Sequence, residues 1–135
     1  MNRALRAVLW IITFIIALQG LDYLTGDNIH LLRYWGDAAE TQALWGASCT
    51  ITAVLAVIGL LLKSEKLSIF ASCLGAATWA MMGFQIADMQ MFIWPPEGIR
   101  IVGYHLGNAA LWVMIGVTIF YRSGVEKKKL ELLEG

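Results

Sequence analysis

His30 and His105, the carboxylates Asp22 and Asp88, and the thiols Cys49 and Cys73 have the widest chemical repertoire in this sequence. A histidine beside a carboxylate inside a membrane can titrate or hold a cation. Placed by depth along the apolar segments, the polar residues gather at one end. Gln19 and Asp22 close the first segment and Gln42 and Ser48 open the second; Gln85 and Asp88 end the third, and Tyr104, His105 and Asn108 begin the fourth. Asp22, Gln85, Asp88, His105 and Asn108 therefore form a candidate external polar cluster, read either as a shallow vestibule or as interhelical hydrogen bonds and headgroup contacts. The second reading has the lower energetic demand, because polarity costs least at the ends of a span.

Other chemistries find less support. A membrane haem commonly needs two axial ligands, and His30 lies in a loop while His105 lies in a helix, so neither a cofactor nor a metal is expected. Cys49 and Cys73 fall in different spans at heights differing by about a third of the bilayer, too far for a disulfide; both read as small packing residues. No Gly-x-Ser-x-Gly, His-Glu-x-x-His, Cys-x-x-Cys or glycine-rich phosphate loop occurs, and the chain reads as a non-enzyme. All charged side chains lie at or outside the ends of the apolar segments, which argues against an ion-coupled pump.

The elements that must position these residues follow from composition. The 135 residues are 59% hydrophobic and 15% charged, with ten Lys and Arg against ten Asp and Glu. Soluble domains run nearer 45–50% apolar and about 25% charged. Charge balance leaves no basic excess for a nucleic-acid partner, and two cysteines make no disulfide scaffold. Uncharged intervals at 7–21, 41–62, 67–87 and 101–121 each approach the roughly 20 helical residues that cross a hydrocarbon core about 30 Å thick. The expectation is one domain over residues 1–135: an all-α, antiparallel up-down bundle of four transmembrane helices, with spans near 5–24, 42–62, 67–87 and 101–121. The first segment resembles a signal peptide in its basic start, but Leu18-Gln19-Gly20-Leu21 is a poor cleavage site, so it is expected to stay as a helix.

Basic residues orient the bundle. Arg3, Arg6, Lys63, Lys66, Arg122, Lys127, Lys128 and Lys129 fall on one side, and only Arg33 and Arg100 on the other. Both termini are expected in the cytoplasm, with the protein in the cytoplasmic membrane. Lys63-Ser64-Glu65-Lys66 reads as a tight turn between the second and third spans. In the longer external loop, Ile29, Leu31, Leu32, Tyr34 and Trp35 suit a short interfacial helix. Trp45 and Trp94 suit the external aromatic belt, and Pro95-Pro96 stops the third helix. The tail 125–133 reads as a short surface helix.

Lipid tails are as apolar as leucine, so close packing of small residues and interhelical hydrogen bonds must hold such helices together. Ser68, Ser72, Gly75, Ala76, Ala80, Gly83 and Ala87 recur every three to four residues along the third span, and Gly103-x-x-x-Gly107 opens the fourth. Ser72, Gly75, Gly83, Gly103 and Gly107 are the candidate packing or oligomerisation residues, serving either one monomer or contacts between copies. The first span is bulky nearly all round and is expected to lie outside a core made by the other three.

The stretch Gly20-Leu-Asp-Tyr-Leu-Thr-Gly26, with Ala43-Leu-Trp-Gly46, resembles small four-span membrane proteins of actinobacterial phages, which often sit among lysis genes and are treated as holin-like. The likeness covers mainly the first third of the chain and carries over no functional residue. It implies a protein whose partners are the lipid bilayer and its own copies, acting by lateral association until the bilayer fails. Two further functions suit the same residues: an accessory subunit of a larger membrane complex, and a small transporter or ligand-binding protein using the vestibule.

Overall fold

A computed structural model describes residues 3–25, 38–90 and 99–134. It consists of four helices: α1 Arg3–Thr25, α2 Ala38–Leu61, α3 Glu65–Gln90 and α4 Ile99–Glu134. Each is long and apolar enough to cross a membrane. The all-α, four-helix architecture is the one that the charge-free intervals predict. The loop carrying His30 and the interfacial segment, and the one carrying Trp94 and Pro95-Pro96, lie outside the described residues.

The turn between α2 and α3 is built from the chain's own capping groups. Lys63 closes α2 in the left-handed region, with φ 53°, and the Ser64 amide reaches back to the Gly59 carbonyl at 2.9 Å. This is a Schellman closure with lysine where glycine is usual. The Ser64 hydroxyl then accepts a long bond from the Leu67 amide at 3.4 Å, as an N-cap for α3. Arg6 of α1 donates to the Leu60 carbonyl at 3.4 Å, so the start of α1 lies beside the end of α2. At the opposite end, the Trp45 indole N–H of α2 donates to the Gln85 side-chain carbonyl of α3 at 3.1 Å. The helices therefore run up and down, each packing on its neighbours in sequence. The α3–α4 seam is the most extensive, whereas α1 and α4 meet at only a few positions.

The interior holds Leu9, Ile16, Leu60, Trp79, Met82, Trp112 and Ile119, while Phe14, Phe70, Phe84 and Phe120 point outward. An apolar outside around an apolar inside suits lipid as the solvent. Three buried hydroxyls bond back to their own helices. Thr13 donates to the Leu9 carbonyl at 2.6 Å, Thr52 to Ser48 at 2.8 Å, and Ser72 to Ser68 at 2.8 Å.

Two expectations need correcting. The first helix is not alone at the periphery: the most apolar windows of α1 and α4 are both 28% buried, against 39% for α2 and 44% for α3. The tail is also no separate surface helix, because α4 continues without a break to Glu134. Its 36 residues reach about 54 Å at 1.5 Å per residue, well beyond the hydrocarbon core.

Candidate functional site: two seams, one open face and a divided polar end

The small residues of α3 are occupied inside the monomer. A Cβ at Gly75 would lie 2.6 Å from the Trp112 indole, so this glycine makes the slot in which the buried indole sits. At Gly83 it would lie 3.0 Å from Leu106 and 3.2 Å from the His105 Cβ, and at Gly116 3.1 Å from the Ser72 Cβ. Ser72, Gly75 and Gly83 therefore let α4 approach α3. A second seam joins α1 to α2, on the small-residue side of α2 that includes Gly46 and Thr50: a Cβ at Gly20 would lie 2.8 Å from the Thr50 Oγ1, and one at Gly46 2.8 Å from Leu24.

Gly103 and Gly107 differ from the other three. A Cβ at either would meet nothing within 4 Å, and both residues are exposed. Ala110, Met114, Val117 and Tyr121 follow at helical spacing and are exposed as well. They form one continuous outward stripe along α4, narrow at its Gly103 end and bulky at its Tyr121 end.

The polar end is divided rather than pooled. His105 is buried against Trp79 and Tyr104, with ring centroids 5.1 and 5.5 Å away. Its Nδ1 lies 2.7 Å from the Ile101 carbonyl, an acceptor, so Nδ1 carries the proton and donates. The buried Nε2 has no hydrogen-bond partner, and the histidine bonds neither Asp22 nor Asp88. Asn108 is also buried and donates back to the Tyr104 carbonyl at 2.9 Å. Gln85 is held by Trp45, and Asp88 is exposed near the end of α3. Asp22 is exposed on a groove of about 550 Å³ between α1 and α4, shared with Gln19, Thr25 and Tyr104. Tyr104 touches both environments. Trp79, whose depth gave no hint of a polar role, is the residue that encloses His105 from α3. Among the described residues, no group of three or more His, Cys, Asp or Glu side chains converges as metal ligands would.

Both cysteines are free thiols. Cys49 is buried as a packing residue, at Gly20 of α1. Cys73 is exposed in a groove that α3 shares with Val113 and Val117 of α4, so its reading as a packing residue does not hold.

No protein-family model, curated protein or solved structure matches this chain.

Proposed function

We propose that the chain is a multi-pass protein of the cytoplasmic membrane, with both termini in the cytoplasm, that associates with its own copies through the open face of α4 and permeabilises the bilayer as a holin does. One observation carries this reading: Gly103 and Gly107 stand on a surface where nothing touches them, whereas Gly75, Gly83 and Gly116 are filled by the opposing helix. Glycine in a helix interior costs about 1 kcal/mol relative to alanine. That cost brings a return only where another backbone approaches closely, and a Gly-x-x-x-Gly face is the pattern by which membrane helices do so. A copy of the same helix meets this need without any further component. The excess of basic residues beside the α2–α3 turn and after α4 supports the orientation.

The test is induced expression with a potential-sensitive dye and a co-expressed endolysin. The native chain is expected to collapse the membrane potential and admit the endolysin to the wall. Gly107→Leu, which blocks the close approach while leaving the monomer seams intact, is expected to abolish both effects. Intact potential and normal growth at high expression of the native chain would refute the proposal. Copurification of one stoichiometric membrane partner would assign the face to a larger complex instead. His105 makes no hydrogen bond to Asp22 or Asp88, so a vestibule reading has no direct histidine–carboxylate pair to support it.

A further inference from the structure

The open stripe of α4 does not end where the apolar run does. At 3.6 residues per turn, Val125 and Leu132 fall on the same side of the helix as Gly103, Gly107 and Tyr121, within an arc of about 40°. Both are exposed, Val125 by 49% and Leu132 by 76%. Arg122 closes the uncharged interval, yet α4 runs on to Glu134 without a break. An unbroken helix cannot turn down onto the membrane surface, so Leu132 stands about 16 Å past Tyr121, outside the lipid. An outward leucine is at no disadvantage among acyl chains; in water it leaves apolar area uncovered.

The charges beside this stripe select what covers it. Lys129 stands about 80° to one side of the stripe and Glu131 about 80° to the other, and both are exposed. The asymmetry of basic residues gives every copy one orientation in the membrane. Two copies meeting on the stripe are therefore parallel, and the same patch on each is related by a two-fold axis. That symmetry sets the Lys129 flank of each copy against the Glu131 flank of the other, as edge charges are set in a parallel coiled coil.

Geometry along the helix agrees. From Gly103 to Leu132 the stripe keeps a spacing of three and four residues, so two α4 helices can run side by side at the crossing of about 20° common in membrane bundles. Lys128 falls on the contact side between Val125 and Leu132 and brings two like charges together. A lone lysine in such a seam costs stability, which keeps the short extension from pairing unless the membrane faces meet as well. Leu133 supplies the contrast: it is 75% exposed, as Leu132 is, but stands about 100° away around the helix.

We propose that the extension of α4 pairs in parallel with the same segment of a second copy, with Val125 and Leu132 in the contact and Lys129 opposite Glu131 of the second copy. The inference rests on the reading of the α4 face as the site of self-association and carries that contact out of the membrane. Within a single chain the described side chains of the extension are exposed, so the pairing bears on association and not on the stability of the bundle.

Oxidative cross-linking of the full-length chain in isolated membranes tests it, with single cysteines in a background lacking Cys49 and Cys73. Leu132→Cys is expected to form a disulfide-linked dimer, and Leu133→Cys several-fold less of one. In the Leu132→Cys chain, Lys129→Glu should lower the yield about fivefold, because the two-fold axis turns two exposed ion pairs into like charges at once. Adding Glu131→Lys should restore it. Equal yields at Leu132→Cys and Leu133→Cys, or a yield indifferent to Lys129→Glu, overturns the proposal. A monomer whose Leu132→Cys thiol resists an impermeant maleimide in opened vesicles overturns it too, and assigns the stripe to another partner or to the membrane surface. Gly107→Cys in the same background separates the two claims. A dimer there with none at Leu132→Cys refutes the extension alone; a dimer at Leu132→Cys with none at Gly107→Cys upholds the extension and refutes the membrane face.

Discussion

Gly75 and Gly103 present the same hydrogen to opposite surroundings, and their substitutions should diverge. Gly75→Ala drives a methyl into the Trp112 indole, 2.6 Å away; overpacking of this kind costs about 1–3 kcal/mol. Gly103→Ala meets open space and gains up to about 1 kcal/mol of helix propensity. Unfolding of the purified protein in mixed micelles measures both, and similar losses at the two sites would contradict the seam described. The spacing of Ser72, Gly75 and Gly83 is legible in the sequence because a period of three to four defines a helix face. What covers the face is not legible, since Gly103 and Gly107 show the same spacing and meet nothing. The polar cluster has the same limit. Residue count along a span gives the depth of His105, Asp22 and Asp88, but not the direction each side chain takes: the histidine is buried and bonds its own helix, while both carboxylates are exposed.

At the scale of elements, α2 and α3 are joined by the bond from Trp45 to Gln85 as well as by their turn. A double-mutant cycle with Trp45→Phe and Gln85→Leu should show a coupling of about 0.6 kcal/mol, with about 1.7 as the upper range for such bonds in a bilayer. No coupling would mean that the pair does not hold the seam. Helix α4 shows where reading by charge falls short. Arg122 and the cluster from Glu126 onward end the apolar run, yet Glu, Lys and Leu are strong helix formers, so the backbone continues as helix past the point where lipid exposure stops. The described side chains from Val125 to Leu133 are exposed. A chain ending at Gly124 should therefore unfold within about 0.5 kcal/mol of the full length, the usual range for surface changes. A larger loss would show that the extension braces the bundle.

Across the whole molecule, the number of helices and their up-down order were legible because charges interrupt the apolar sequence only between spans and the α2–α3 turn is short. The weak α1–α4 seam was not, because α4 reads as rich in small residues and only its packed side reveals which of them are used. The proposed orientation rests on the basic residues, and it predicts that a Lys128→Cys variant lacking Cys49 and Cys73 reacts with an impermeant maleimide only from the cytoplasmic side. Lateral association through α4 is the claim on which function rests, and oxidative cross-linking in native membranes reaches it most directly. In the same cysteine-free background, Gly107→Cys is expected to yield a disulfide-linked dimer, while Phe14→Cys, at an exposed position of α1, stays monomeric. A monomer at Gly107→Cys under conditions that cross-link Phe14→Cys would contradict the account.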